Sequence, residues 1–165
     1  MPYFWGTLGI VYNDKFVKPG AIKTWNDLWS KKYRRQILLV DSARDAMGMA
    51  LVSLGYSMNT TSSIKLHLAQ TKLNSLGPNI KAIISDEMKM YLVQNEAAIG
   101  VTWSGEAYEM MEQNPHLHYV VPKQGSNLWF DNFVIPKTVQ NKKAALKFIN
   151  FMLEPKNAAQ NAEYV

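Results

Sequence analysis

QILLVDSARDAMGMALVSLG, residues 36 to 55, contains the change of period that decides the fold class. Its first part, QILLV, is a short apolar run. Such a run suits a strand buried on both faces, as strands in parallel sheets are. From Asp41 the pattern becomes helical, and it closes at Gly55. Glycine takes the left-handed conformation at a helix C-terminus at little cost.

The same strand-then-helix unit recurs outward from this stretch. Upstream, MPYFWGTLGIVYN (1–13) is β-prone, with TLGIVYN its best strand, and Pro19-Gly20 marks a turn. TWNDLW (24–29) begins a short helix, with Thr24 as N-cap and Asp27 three residues on. Downstream, residues 62 to 76 predict a helix with Ile64, Leu68 and Leu73 apolar, stopped by Gly77-Pro78. NIKAIIS (79–85), AAIGVTW (97–103) and LHYVVP (117–122) read as strands. SDEMKMYLVQN (85–95) and SGEAYEMMEQN (104–114) read as helices between them. NLWFDNFVIP (127–136) is a further strand ending at Pro136. VQNKKAALKFINFMLEP (139–155) is an amphipathic helix with Ala145, Phe148, Ile149 and Met152 on one stripe, and a last helix runs into Val165. This alternation argues for an α/β fold with a mainly parallel central sheet flanked by helices. Ligands of such sheets bind at the carboxyl ends of the strands. Three junctions of that kind carry chemistry: VDSARD (40–45), VTWSGE (101–106) and NLWFDNFVIP itself.

Composition narrows the function classes. The 165 residues are 47% hydrophobic, enough for a real core. No stretch approaches the roughly 18 apolar residues of a membrane span, and no signal segment opens the chain. There is no cysteine, so disulfides, zinc thiolates and thiol nucleophiles are excluded. The net charge is +5, and the basic residues cluster only at Lys31-Lys32 with Arg34-Arg35 and at Lys142-Lys143. These read as solvated surface, not as a nucleic-acid patch. No phosphate-cradling glycine loop and no GxSxG elbow occurs. His116 and His118 share a strand face but have no adjacent third ligand in the sequence, which argues against a metal centre. Neither a catalytic constellation nor a cofactor is implied.

What remains is a set of aromatic and acidic residues at ligand-prone positions. Trp103 ends a buried strand just before a helix. Trp129 and Asp131 share one face of their strand, and Asp45 lies just inside the helix after QILLV. An indole face attracts a cation, carboxylates bond ammonium groups, and aromatic walls bury methylenes. Methylene chains carrying ammonium groups would use all three. Each residue also has a purely structural reading. Ser42 and Asp45 can form a capping box, Trp103 can be a core residue, and Glu106 can be a surface acid favoured by the helix dipole. Asp131, an acid within an apolar strand, needs a partner or a cleft. Trp5, Trp25 and Trp29 read as packing residues.

PYFWGTLGIVYN, TWNDLW, ILLVDSARDAMGMAL, LGY, AAIGVTWSGEA, LWFDNFVIPK and AALKFINFML occur in this order. Together they resemble the spermidine/putrescine-binding proteins of bacterial polyamine ABC transporters, over nearly the whole chain. The resemblance implies a periplasmic-binding-protein-like type II fold, with two α/β lobes around a cleft. On that plan residues 1–8 are a crossing strand, 9–128 the second lobe, 129–136 the return hinge strand, and 137–165 helices of the first lobe. The sequence would then be around half of a longer protein. The implied ligand-binding residues are Trp103, Trp129, Asp131 and Asp45. Ser42 stands where the family carries a further acid. The implied partners are a polyamine, spermidine or putrescine, and the permease subunits of the transporter, with no nucleic acid. Membrane association would come only through the transporter or an N-terminal anchor, and the site of action would be the periplasm or the outer face of the membrane. Two alternatives stand beside this reading: a binding protein for another small cationic or anionic solute, and a carboxylate-dependent hydrolase.

Overall fold

The structure, a computed structural model, describes residues 1–163; Val165, the expected end of the last helix, and Tyr164 lie outside the described residues. The chain divides into two compact units. One is Thr7–Leu128, and the other joins Met1–Gly6 to Trp129–Val165.

Strands β1 (Pro2–Asn13, in the larger unit from Thr7 on), β2 (Ile37–Leu39), β3 (Ile80–Ile83), β4 (Ile99–Trp103) and β5 (Leu117–Val120) form a sheet in the order β3-β2-β4-β1-β5. β2 is parallel to β3 and to β4, while β1 is antiparallel to both β4 and β5. Four strands therefore run one way and β1 alone runs the other, so the sheet is mainly parallel. Helices α1 (Ala43–Ser53), α2 (Ser63–Asn74), α3 (Glu87–Val93) and α4 (Ser104–Gln113) connect and flank the strands. The core is continuous from Ile10 and Val11 on β1 through Leu38 and Val101 to Met49, Leu92 and Met110 on the helices. Gly55 follows α1 with φ +77°, the left-handed conformation for which glycine is suited.

MPYFWGTLGIVYN, β-prone throughout in the sequence, forms one strand from Pro2 to Asn13. The short helix expected at TWNDLW is a five-residue 3-10 helix, Trp25–Trp29, with Thr24 as its N-cap. The Trp25 backbone N–H is held by Gln124 Oε1 at 2.6 Å and its indole N–H by Gly125 O at 2.9 Å, so the turn is fixed by a distant loop. On α2 the apolar stripe is displaced: Ile64 is 73% exposed and Leu68 is also exposed. The buried residue is Ala69, which meets Ala50 and Leu51 of α1, because two helices approach closely where side chains are small.

Strand β6 (Leu128–Asn132), in the smaller unit from Trp129 on, pairs with β1, and Met1 and Phe133 of that unit exchange hydrogen bonds of 3.0 and 2.9 Å. Helix α5 (Lys142–Leu153) is capped by Asn141, whose side chain accepts from Ala144 N at 2.9 Å. Its predicted stripe is only partly covered: Ile149 is buried and Phe148 is exposed, edge-on to Phe133 with ring centroids 6.3 Å apart. Helix α6 (Pro155–Ala162) follows, and Asn161 donates to the Tyr3 hydroxyl.

At the end of β1 one carboxylate ties two strands. Asp14 Oδ1 meets His116 Nδ1, and Asp14 Oδ2 meets His118 Nε2, each at 2.8 Å. These bonds, first His118 and then His116, hold the Asp14 carboxyl below its ordinary range. A carboxyl depressed on folding stabilises the fold above its unfolded value, about 3.9, and that contribution is lost as pH falls through the folded value. Asp14→Asn should therefore lower the urea midpoint near neutrality, and the gap from wild type should close on acidification below about pH 4. A gap constant down to about pH 2 would show that the carboxylate charge has no part in it.

Candidate functional site

Because β2 and β4 are parallel, they end at the same edge of the sheet, and antiparallel β1 brings Leu8 there opposite Trp103. Three of the sequence-predicted residues meet at this edge. Ser42 is the N-cap of α1, and its hydroxyl accepts from Asp45 N at 3.3 Å. Only this half of the expected capping box forms, since the Ser42 N–H bonds Val40 O. The Asp45 carboxylate points elsewhere. Its Oδ2 accepts from the Trp103 indole N–H at 3.2 Å, and its Oδ1 accepts from the Asn127 side-chain amide at 3.0 Å. Asp45 is only 5% exposed, whereas Trp103 is half-buried. Burying a carboxylate is costly unless its oxygens are bonded. Here both are bonded, and the group also lies in the first turn of α1, where the helix dipole favours negative charge.

Beside this junction a groove of ≈ 710 Å³ opens at the ends of β2 and β3, lined by Asp41, Ser42 and apolar groups that include Val40, Leu73 and Ile83. Arg44 is turned to Asn59, with Nη2 3.1 Å from its Oδ1. Glu106 is paired with Lys89 at 2.8 Å, and Lys89 also holds Glu109. Glu106 is thus a surface acid in an ion-pair network. The carboxylates hold the Lys89 ammonium above its ordinary value against the opposing effect of burial.

The other two predicted residues lie on β6 in the smaller unit. Trp129 is half-buried, and its indole N–H is buried with no hydrogen-bond partner among the described residues. Asp131, two residues on and so on the same strand face, is exposed. Trp5, expected to pack, is 68% exposed, while Trp25 is fully buried and Trp29 half-buried. Two polar residues of consequence escaped the sequence reading. Asn127 is the first residue of the expected strand 127–136 but precedes the observed β6, and a single amide there gives no pattern. Asp14 lies some hundred residues from the histidines it joins. Among the described residues no group of three His, Cys, Asp or Glu is disposed to hold a metal ion.

Comparison with known proteins bears on this arrangement. All of residues 1–165 match the family model described as bacterial extracellular solute-binding protein. The chain is 38% identical over 165 residues to a spermidine/putrescine-binding periplasmic protein of Salmonella typhimurium, covering 100% of this chain and 47% of that protein. Among solved structures it is similar to the spermidine/putrescine ABC transporter substrate-binding protein PotD of Streptococcus pneumoniae, with 58% identity, a TM-score of 0.87, and 99% of this chain against 50% of that one. It is also similar to the TpPotD lipoprotein of Treponema pallidum, with 29% identity, a TM-score of 0.90, and 99% of this chain against 52% of that one. The chain therefore spans about half the length of the relatives it matches.

The site geometry makes Asp45 a framework residue whatever binds beside it. Asp45→Ala should cost about 1–3 kcal/mol, because two donors lose their acceptor in a buried place. Urea unfolding of the 165-residue chain measures this. A loss below about 0.5 kcal/mol would mean that water replaces the carboxylate without penalty.

Proposed function

The chain belongs to the bacterial extracellular solute-binding proteins, and from that premise we propose that it forms part of the substrate-binding component of a polyamine ABC importer. It acts outside the cytoplasmic membrane and delivers spermidine or putrescine to the permease subunits. Its role is binding rather than catalysis. No described helix is long and apolar enough to cross a membrane.

The observation that carries the reading is the recurrence of an indole with a carboxylate, once at a strand junction and once on a strand face. Trp103 is bonded to Asp45, and Trp129 shares a strand face with Asp131. Tryptophan faces attract ammonium groups by about 0.5–2 kcal/mol and cover the intervening methylenes. In this reading Trp103, in the larger unit, and Trp129, in the smaller, each supply such a face. Exposed Asp131 anchors an ammonium directly, Asp45 adds negative potential beside Trp103, and Ser42 offers a neutral hydroxyl. The spermidine and putrescine that the relatives are named for support the same chemistry. An anionic solute is disfavoured by two acids against one arginine that is already turned to Asn59. A hydrolase using Asp131 or Glu106 needs two free carboxylates converging on one point, and Glu106 is taken by Lys89.

Titration calorimetry with spermidine, putrescine, lysine and phosphate tests this, on the chain alone and on a full-length protein carrying it. Asp131→Asn should weaken polyamine binding about 10- to 100-fold, the range for a hydrogen bond to a charged group. Unchanged affinity removes Asp131 from the site. Binding of phosphate or lysine in place of polyamine overturns the reading.

A further inference from the structure

We propose that Asn127 is the positioning residue of the Trp103 junction: its side-chain amide aims the Asp45 carboxylate, and through it the indole. This deepens the polyamine reading and rests on it for its consequence at the ligand. Four chain segments close a circuit here. Leu8 lies opposite Trp103 across the β1–β4 ladder. The Trp103 indole N–H donates to Asp45 Oδ2 at 3.2 Å. Asp45 Oδ1 accepts from Asn127 Nδ2 at 3.0 Å. Asn127 O accepts from Leu8 N at 3.1 Å, which returns the circuit to β1.

The backbone half of Asn127 is therefore fixed by the sheet edge, and the adjacent Ser126 hydroxyl donates to Leu8 O. With its backbone held, the amide can reach only a short radius, and Asp45 lies within it. The carboxylate has two oxygens. If one is pinned by Asn127 and the cap bond fixes the start of α1, the other oxygen has one place to be. That place receives the indole N–H. A free Asp45 would rotate about its side-chain torsions and leave the Trp103 ring without a reference, and a half-buried indole would then sample several tilts. The face it offers a ligand would be averaged over them, with an entropic cost on binding.

The amide must donate for this to work. Asn127→Asp keeps the shape but sets a carboxylate against Asp45, whereas Asn127→Ala removes the group. A role in packing alone predicts that the isosteric Asp variant resembles wild type and Ala does not. The positioning role predicts that both disturb Trp103, Asp at least as much as Ala.

The indole N–H resonances of the nitrogen-15-labelled 165-residue chain read this without any ligand. Trp103→Phe assigns the Trp103 signal, and the Trp25 indole, bonded to Gly125 O, serves as a folding control. The expected result is a displaced or broadened Trp103 signal in both variants with Trp25 unmoved. An unmoved Trp103 signal, or a shift in Ala alone, overturns the proposal. Calorimetry on the full-length protein then reads the consequence: Asn127→Ala should weaken putrescine binding about tenfold. A displaced indole with affinity within about a factor of two of wild type overturns the role at the ligand. If the full-length wild type binds no polyamine, the functional reading fails, and the resonances still decide whether Asn127 positions Trp103.

Discussion

The antiparallel strand β1 is the constraint from which the geometry of the larger unit follows. Residues Leu8 to Asn13 are all buried within a sheet whose other strands run the opposite way. A strand so placed must have its backbone groups satisfied along both edges, because no water reaches them. β4 serves one edge from Leu8 to Tyr12. β5 serves the other, but its register with β1 starts at Ile10 and ends at Asn13, so Leu8 lies beyond it. The loop 126–127 takes over at that point through Asn127 O and the Ser126 hydroxyl. The need to satisfy one buried peptide group thus draws residue 127 to the edge where β2 and β4 end. The same strand end brings Thr7 to Ser104, with a 3.2 Å bond from the Thr7 backbone N–H to the serine oxygen. The start of α4 and the end of the 121–127 loop are both fixed by β1.

A second dependence runs across the face of β1. Gly9 has no side chain, and a Cβ there would lie 2.3 Å from the Tyr119 ring. The ring therefore crosses the backbone, and its hydroxyl reaches Thr7 O at 2.9 Å. Burial pushes the Tyr119 phenol up to about 12, so it remains a donor at any physiological pH. Thr7 and Leu8, the residues that enter the candidate site, are held by groups that do not titrate in that range. At the opposite edge the link between β1 and β5 runs through the Asp14 carboxylate, which its bonds to His118 and His116 hold below its ordinary range. Acid sensitivity in this contact is confined to the end of β1 away from Trp103.

Much of this was legible in the sequence because it follows from period. QILLV and AAIGVTW are apolar runs too short for helices, and both lie buried as parallel neighbours. Ser42 was legible as a cap because serine before a helical pattern has one common use, and Gly55 as a stop for a similar reason. The circuit around Asp45 was not. The spacing S-A-R-D predicts a capping box, and a carboxylate at N3 ordinarily turns back to the cap backbone. Here the Ser42 N–H is already spent on Val40 O, so the carboxylate is released to Trp103 and Asn127. The choice depends on partners 58 and 82 residues away, which no local pattern encodes. Ile64 and Leu68 failed for the converse reason. Their periodicity is real, but the neighbour that α2 meets is the small-residue surface of α1, so Ala69 won the contact.

Two carboxylates that look alike in the sequence are therefore different physical objects. Asp131 is exposed, so it pays little for its charge and retains bonding capacity for a ligand cation. Asp45 is buried and has each oxygen engaged by a neutral N–H donor, so its charge acts mainly through space and through the orientation it imposes. Ser42 caps α1 through a neutral hydroxyl. Serine and aspartate serve almost equally as N-caps, so exchanging one for the other costs the helix little. The exchange does alter the charge at the end of β2 by a full unit. The fold thus separates two tasks at this junction. The position that sets the local charge is free to vary without loss of structure, while the position that holds the indole is fixed by the sheet.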